Sequence, residues 1–335
     1  MRGVVFPLRV KLPDKVQIEP VGKCNLNCRM CPGGIRRKGK QAFMPLEMFE
    51  GLLDQFKQAR EIQLQGLGEP MLHPSFTQFI DLAAQRGRKV GAATNLTLLN
   101  EKIANSLVSG ALDSLAVSIE SPSETTYGWL CREGRLTEVL SNLEMLLARR
   151  DSAGTGKPRV TVTSYIMREN MAQLPQLVEL AGSLGADAFT AENLPGTMEE
   201  PALPRNYRPV RDFVAWQMPT AEDKPVLKES FGKARNAGRK NGVEVTLPPL
   251  RPGRNGNGKK DCDWPWREAF VSSSGKMMPC PNVGTPDRSH MGDAASEGVA
   301  SVWNGPRFSD FRNRLSEGDP PEICRHCCTA SAPGA

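Results

Sequence analysis

The chain has 335 residues, of which 39% are hydrophobic and 24% charged, so it can bury a large core and is not expected to be disordered. No apolar run approaches the ~20 residues of a membrane-spanning helix, and the apolar stretch at the N-terminus is too short for a signal peptide, which predicts a cytoplasmic protein. The net charge of +6 is spread along the chain, so nucleic acid is a weakly supported partner.

Nine cysteines are present against only three histidines. In a chain without an export signal, cysteines are typically reduced thiols or metal ligands, because the cytosol disfavours disulfides. Four of the nine lie in the first half of the chain and five in the last quarter. The sequence therefore predicts metal chemistry, and the cysteine spacing decides which kind.

Short β-like runs alternate with helix-period segments over residues 16–193. Six runs are predicted strands: 16–19, 61–65, 89–94, 114–120, 160–166 and 186–191. Between them, Phe49, Leu52 and Leu53 recur at helical spacing, and residues 123–150 form either one interrupted helix or two. This alternation predicts an α/β fold with a partial (β/α)6 TIM-like barrel in a domain spanning residues 1–200.

The pattern changes after residue 200. Residues 201–260 read as a connector with a helix around 221–241, a strand at 243–247 and a linker at 248–260. Residues 261–335 form a predicted small C-terminal domain that contains five cysteines, a hairpin around 270–278 and a helix at 306–315. We therefore expect a barrel, a connector and a small metal-binding domain in that order.

Three cysteines follow the first predicted strand with the spacing C-x3-C-x2-C: Cys24, Cys28 and Cys31. Three thiolates this close can bind three irons of a cubane cluster and leave the fourth iron open to another ligand. The alternatives are a zinc knuckle that lacks a fourth ligand and a set of buried thiols. The spacing and its place after a barrel strand favour the cluster.

The cysteine loop resembles the signature of the radical S-adenosylmethionine superfamily. That resemblance implies an open iron chelated by S-adenosylmethionine, whose reductive cleavage gives a 5′-deoxyadenosyl radical that abstracts hydrogen from a substrate. The segment Gly66-Leu67-Gly68-Glu69-Pro70 is similar to the glycine-rich motif of the family. Further positions that resemble cofactor contacts are Thr94, Asn95, Ser118 and Glu120, although turn and cap roles are an alternative for three of them: Thr94, Asn95 and Ser118.

All of these residues follow predicted strands, where ligands gather in parallel barrels. Arg168 and Asn170 follow the fifth strand, and Glu192 and Asn193 follow the sixth, which makes them candidates for cofactor or substrate contacts as well. Ordinary polar loop residues are the alternative interpretation for these four.

The C-terminal cysteines Cys262, Cys280, Cys324 and Cys327 suit either a tetrahedral zinc or a fully ligated [4Fe–4S] cluster. Their surroundings, with a Pro-Trp pair, a hairpin, a Pro-Cys pair and a late CxxC, are similar to SPASM and twitch extensions. That resemblance implies an auxiliary [4Fe–4S] cluster, with Cys328 as the alternative to Cys327.

A fully ligated auxiliary cluster would accept an electron from a substrate radical, so the first hypothesis is oxidation of a hydroxylated sugar or aminocyclitol by a dehydrogenase-like enzyme. A radical epimerase or dehydratase is an alternative, with Cys131 as a hydrogen donor or else a buried apolar residue. Another is modification of a ribosomal peptide, against which stands the short segment before Cys24. A zinc-stabilised nucleic-acid-binding module is a remote alternative. Flavodoxin or ferredoxin is the expected electron donor.

Overall fold

The computed structural model describes residues 10–38, 43–196, 198, 200–201, 203–250, 262–325 and 327, with side chains described for all of these except 36–38. Cys328 and most of the predicted linker lie outside the described residues. The strands are β1 (Lys15–Ile18), β2 (Asn27–Cys28), β3 (Glu61–Leu64), β4 (Lys89–Thr94), β5 (Ser114–Ser118), β6 (Cys131–Arg132), β7 (Arg159–Ile166), β8 (Ala188–Asn193), β9 (Glu244–Thr246), β10 (Glu268–Val271), β11 (Lys276–Met278) and β12 (Gly292–Asp293).

The helices alternate with these strands as the sequence predicts. They are α1 (Leu46–Gln55), α2 (Phe76–Gln85), α3 (Glu101–Leu107), α4 (Glu124–Leu130), α5 (Leu136–Ala153), α6 (Leu174–Leu184), α7 (Arg208–Gln217), α8 (Lys224–Asn241), α9 (Trp264–Arg267), α10 (Val299–Trp303) and α11 (Pro306–Glu317). Short 3-10 turns lie at Pro32–Lys38, Pro70–Leu72, Met171–Gln173, Arg205–Tyr207, Pro281–Val283 and Glu322–Cys324.

One mostly parallel sheet organises the chain, in the order β12-β11-β10-β1-β3-β4-β5-β7-β8-β9. The six strands from β1 to β8 in this sheet are the six predicted strands, and they pair in parallel. The predicted partial (β/α)6 barrel is thus confirmed. Because the strands are parallel, the loops after them meet at one edge of the sheet.

The hydrophobic core lies between the sheet and its helices. Phe49, Leu52 and Leu53 of α1 are buried, as their spacing predicts, and so is the stripe of Phe76, Phe79, Ile80 and Ala83 on α2. Burial of such a stripe is the main stabilising contribution of an amphipathic helix. Among the described residues, no helix is both long and apolar enough to cross a membrane.

The C-terminal segment extends the same sheet. Strand β10 pairs in parallel with β1, in the register Lys15–Glu268 to Ile18–Val271, and then forms the predicted hairpin with β11. The backbone N–H of Glu19 also donates to the carbonyl of Val271 at 2.9 Å. The division at residues 200 and 260 stays a prediction, and the sheet continues from the barrel strands into the C-terminal segment.

In the connecting regions, the structure decides one feature that the sequence left open and adds one that it did not predict. The segment 123–150 forms two helices, α4 and α5, and the two residues of β6 between them pair with β2. The connector also holds a helix that the sequence did not predict, α7, with Pro209 in its first turn, where a proline is tolerated. Both features bring chain segments to the mouth of the barrel.

Candidate active site at the carboxyl edge of the sheet

The cysteine loop, residues 24–31, begins just beyond the end of β1. Within it, β2 pairs with β6, and the Cys31 N–H donates to the Cys28 carbonyl at 3.1 Å. Backbone N–H groups also point at sulfur: Leu26 N donates to Cys24 Sγ at 3.4 Å and Gly33 N donates to Cys31 Sγ at 3.3 Å. Such donors stabilise thiolates, which is the form that binds metal.

The three thiols of the loop repel one another as thiolates. Burial raises the pKa of Cys24 to about 12, and the negative charges of Glu69 and Cys28 add to the shift. Burial raises the pKa of Cys31 still further, and Cys28 and Cys24 contribute. A bound metal cluster supplies the positive charge that this donor set otherwise lacks, so the thiols fit an iron–sulfur cluster.

The described part of the chain shows no three Cys, His, Asp or Glu side chains that converge closely enough to hold one metal ion. A cubane spreads its thiolate ligands over different iron atoms, whereas a zinc ion draws all of its thiolates to about 2.3 Å.

The glycine loop, residues 66–70, packs against the cysteine loop. A Cβ on Gly68 would overlap the carbonyl of Val21 and lie 2.7 Å from that of Lys23, and a Cβ on Gly33 would overlap the carbonyl of Leu67. The Glu69 N–H donates to the Lys23 carbonyl at 2.9 Å. Glycine is required at these two positions because backbone meets backbone there.

Glu69 ties the glycine loop to the end of β4. Its buried carboxylate accepts hydrogen bonds from Thr94 Oγ1 at 2.7 Å, Asn95 N at 2.8 Å and Met71 N at 3.0 Å. Burial raises the pKa of this carboxyl, and the three donors oppose that rise. Glu69 and Thr94 thus hold the loops that surround the cysteines in place.

Asn95 contacts the cysteine loop directly. Its Nδ2 donates to Cys24 Sγ at 3.6 Å and to Asn25 Oδ1 at 3.0 Å. Asn25 in turn donates to Thr97 Oγ1 at 2.8 Å. The residue predicted as a cofactor contact therefore also hydrogen-bonds a predicted cluster ligand, which sequence spacing does not reveal.

Glu120 lies buried beyond β5, where it accepts from Tyr165 N at 2.8 Å and Ser164 Oγ at 3.1 Å. Burial raises its pKa to about 7, and the neighbouring Glu192 adds to the shift. Asn170, fully buried, donates to the Glu120 carbonyl at 2.7 Å. Near neutral pH this carboxyl can therefore hold or release a proton.

The remaining predicted contacts occupy different places along this edge. Ser118 ends β5 in register with Thr163, and Glu192 and Asn193 end β8 with exposed side chains. Arg168 instead pairs with Asp223 at 2.9 Å and donates to Thr220 at 3.1 Å, so its guanidinium joins the barrel to the start of α8. Their roles toward a cofactor stay predictions.

Cys131 lies against the cysteine loop. It stands opposite Cys28 in the β2–β6 ladder and is 4% exposed. The adjacent Cys28 thiol and burial raise the pKa of Cys131 well above its ordinary value. Nothing in the spacing of the sequence links these two residues, because β6 is only two residues long. The hydrogen-donor role expected of Cys131 stays a prediction.

The auxiliary cysteines Cys262, Cys280, Cys324 and Cys327 are brought together by the C-terminal segment. Burial raises the pKa of Cys280, and the charges of Cys327, Cys324 and Cys262 raise it further. Asn282 Nδ2 donates to Cys327 Sγ at 3.8 Å. Four mutually repelling thiols with an amide donor fit a fully ligated cluster.

Two family models match the chain. The model of the radical SAM superfamily matches residues 18–181, and that of SPASM, an iron–sulfur cluster-binding domain, matches residues 262–328. The chain belongs to the radical SAM superfamily. It carries a SPASM domain, and the resemblance drawn from the two cysteine sets is confirmed.

Relatives of this radical SAM protein match most of its length. The tungsten-containing aldehyde ferredoxin oxidoreductase cofactor-modifying protein of Pyrococcus furiosus is 25% identical, with 88% of this chain and 82% of the relative covered. The PqqA peptide cyclase of Gluconobacter oxydans is 23% identical, with 94% of this chain and 82% of the relative covered.

Solved structures show the same fold at lower identity. Streptococcus suis SuiB, bound to its precursor peptide SuiA, gives a TM-score of 0.69 at 15% identity and covers 89% of this chain and 66% of that chain. BtrN in complex with AdoMet and 2-DOIA gives 0.53 at 15% identity and covers 95% and 94%. Both likenesses concern the fold.

Membership of the superfamily assigns the cofactors. The radical SAM domain binds S-adenosylmethionine and a [4Fe–4S] cluster, and the SPASM domain binds auxiliary iron–sulfur. Cys24, Cys28 and Cys31 suit the first cluster and the auxiliary cysteines suit the second, because burial and neighbouring thiols raise the pKa values of Cys31 and Cys280 and a bound cluster would offset both effects. The assignment of individual cysteines as ligands stays a prediction.

Proposed function

We propose that this radical SAM protein modifies a side chain of a peptide or protein substrate in a net two-electron oxidation. Homology to peptide cyclases supports this class, because the PqqA peptide cyclase match extends over 94% of the chain rather than over the barrel alone. The fold shared with peptide-bound SuiB agrees with it. Peptide modification, which was an alternative hypothesis from the sequence, is therefore the first candidate function, and sugar oxidation is the second.

The observation that carries the proposal is the position of Leu67 between the two cysteine sets. Its carbonyl lies against Gly33, next but one to Cys31, and its side chain lies against Gly284, where a Cβ would be 3.2 Å from Leu67 Cδ1. Gly284 follows the turn that begins after Cys280. One residue therefore packs against the segments that follow Cys31 and Cys280, and adjacent segments of this kind suit electron transfer between the clusters.

Two further contacts tie the C-terminal segment to the connector and to the barrel. The buried hydroxyl of Tyr207, in the turn before α7, hydrogen-bonds Thr285 Oγ1 at 2.8 Å and donates to Asp287 at 3.0 Å. Glu19, at the end of β1, accepts from Leu67 N at 3.0 Å and from Ser273 N at 3.2 Å. The barrel and the SPASM segment are thus fixed together at the site.

When bound, the first cluster and S-adenosylmethionine supply a carbon-centred radical that abstracts hydrogen. The protein's own residues hold the cluster thiolates and the glycine loop in position. The N–H groups of Leu26 and Gly33 and the amide of Asn95 donate to the thiolates, and Glu69 keeps the glycine loop fixed. Burial raises the pKa of Glu120 to about 7. Its carboxyl can therefore donate a hydrogen bond to a carboxylate of a bound ligand when protonated, or accept a proton when ionised.

A partly exposed aromatic surface lies beside the cysteine loop and suits a peptide. It consists of Trp129, Phe213 and Trp216, whose ring centroids lie 5.6–6.0 Å apart. Arg29 stacks on Trp129 at 4.7 Å, and its Nε donates to the Trp129 carbonyl at 2.8 Å. Aromatic rings and arginine are enriched where proteins bind peptides and proteins.

The test is an anaerobic assay of the reconstituted protein with S-adenosylmethionine, dithionite and two substrate pools, one of peptides and one of sugars and aminocyclitols. The expected result is a peptide that loses two hydrogens and increases 5′-deoxyadenosine release above the substrate-free rate. The variant Trp216→Ala should raise the peptide KM and leave substrate-free release unchanged. Stimulation by the sugar pool alone would contradict the proposal.

Oxidation of a hydroxylated small molecule is the second candidate. It is favoured by the fold shared with BtrN along 94% of the BtrN chain, since that structure holds a small molecule, 2-DOIA. A redox-neutral epimerase or dehydratase is distinguished by its product, because the product mass would not be lower than the substrate mass by two hydrogens. Flavodoxin or ferredoxin as reductant, and a cytoplasmic location, stay predictions.

A further inference from the structure

A two-stranded ribbon places a second thiol against a cluster ligand. In the β2–β6 ladder, Asn27 faces Arg132 and Cys28 faces Cys131. The Arg29 N–H donates to the Leu130 carbonyl at 2.9 Å, which fixes this register. Directly opposed residues of an antiparallel pair project to the same face with Cβ atoms about 5 Å apart. The two side chains are therefore neighbours, and each thiol lies within reach of the other.

The surroundings keep this contact dry and rigid. Cys131 is 4% exposed, and the flanking Leu130 and Tyr127 are fully buried, so water does not compete for the thiol. The Cys131 carbonyl accepts from the Gly134 N–H at 2.9 Å, which holds the following turn. In such a position a neutral thiol is a donor, and a metal-bound thiolate is the acceptor.

We propose that Cys131 is a positioning residue that donates a hydrogen bond to Cys28 Sγ and thereby raises the reduction potential of the [4Fe–4S] cluster of the radical SAM domain. Reduction adds negative charge to the cluster, and part of that charge resides on the thiolate sulfurs. A hydrogen bond to a ligand sulfur stabilises the reduced form more than the oxidised form. The cluster is then easier to reduce by a given electron donor.

This role depends on the cofactor and not on the substrate. It differs from the hydrogen-atom donor that the sequence suggested, because the thiol hydrogen here is directed at a cluster ligand. Failure to find a peptide product would leave it intact, since the potential is measured without substrate. Conversely, a normal product with an unchanged potential would overturn it and leave the proposed function standing.

The test is an EPR-monitored redox titration of reconstituted wild type, Cys131→Ala, Cys131→Val and Cys131→Ser. The cluster of the radical SAM domain is identified as the one whose signal changes when S-adenosylmethionine is added, and the auxiliary signal is an internal control. Alanine removes the donor, valine removes it while filling the volume, and serine retains a hydroxyl donor.

In the alanine and valine variants, we expect the midpoint potential to become more negative by about 59 mV for one electron. At the wild-type midpoint potential, this shift equals an about tenfold fall in the ratio of reduced to oxidised cluster. Serine should restore most of the wild-type value, and the auxiliary cluster should not move. An unchanged potential in both donor-free variants would overturn the proposal. An equal shift in the serine variant, or in the auxiliary signal, would show a general structural effect and would also overturn it.

Discussion

The two cysteine sets solve the same electrostatic problem in different ways. Cys24, Cys28 and Cys31 lie within eight consecutive residues beyond the end of a barrel strand. Backbone N–H groups in and next to this loop, together with Asn95 from a neighbouring loop, donate to their sulfurs. The auxiliary cysteines span residues 262–327 and meet only after the hairpin β10–β11 and the C-terminal turns have folded. A local loop can leave one iron open, whereas a site closed by four thiols cannot.

The largest difference between the two sets should appear when the first is removed. In a Cys24/Cys28/Cys31→Ala variant, 5′-deoxyadenosine formation should fall to background, because no cluster remains to reduce S-adenosylmethionine. The auxiliary EPR signal should persist, since no residue of the variant belongs to that set. Residual 5′-deoxyadenosine well above background would refute the assignment of the open cluster to this loop.

Removing an auxiliary ligand should have the opposite profile. We expect Cys280→Ala to retain substrate-free 5′-deoxyadenosine formation within about threefold, while oxidised product falls by about 100-fold or more. Cys280 is buried, and the charges of the other three auxiliary thiols raise its pKa, so we expect its loss to disrupt the auxiliary cluster. The check is to measure 5′-deoxyadenosine and product in the same reaction. Equal loss of both would mean that the two sites are not functionally separate.

The packing between the glycine loop and the cysteine loop can be tested with a matched pair of glycines. Gly68→Ala forces a Cβ onto the backbone at Val21 and Lys23, and should lower the free energy of unfolding by about 1–3 kcal/mol and weaken S-adenosylmethionine binding. Gly51→Ala, in helix α1 with nothing within 4 Å, should raise stability by up to about 1 kcal/mol.

Denaturant unfolding and equilibrium binding measure both variants. A Gly68→Ala protein as stable as the Gly51→Ala protein would show that the two loops are free to move apart, contrary to the contacts described here.

The smallest effects should come from the two amides that donate to sulfur. Asn95→Ala removes a donor to Cys24, and Asn282→Ala removes one to Cys327, at the long distances of 3.6 Å and 3.8 Å. Each should shift only its own cluster to more negative potential, by about threefold in the ratio of reduced to oxidised cluster. Redox titration of both variants checks this, and a shift in the wrong cluster would contradict the assignment.

Much of this organisation could be predicted because its signals are local. The six barrel strands, the apolar stripes of α1 and α2, and the grouping of the cysteines all follow from short-range spacing. The pairing of Cys131 with Cys28 could not be predicted, because β6 has two residues and no hydrophobic alternation. Cys28 and Cys131 are more than a hundred residues apart in the chain, so short-range spacing does not predict their contact.

The sequence did not predict which side chains contact one another, because these partners also lie far apart along the chain. Arg168 follows a strand and so looked like a ligand contact, but its partner Asp223 lies 55 residues away in the connector. Leu67 lies within the predicted glycine-rich motif, whose predicted contacts are Gly66, Gly68, Glu69 and Pro70. The contact of Leu67 with Gly284 depends on the C-terminal fold. Tertiary contacts of this kind become visible only when the sheet order is known.

The central claim, that an open cluster and a closed cluster occupy the two cysteine sets, is tested most directly by iron and sulfide counting with EPR after anaerobic reconstitution. The account predicts about eight irons in the wild type and about four in the Cys24/Cys28/Cys31→Ala variant, as two cubanes require. Added S-adenosylmethionine should change one of the two wild-type signals and leave the remaining signal of the variant unaltered. Zinc in place of iron, or a variant whose signal still responds to S-adenosylmethionine, would contradict it.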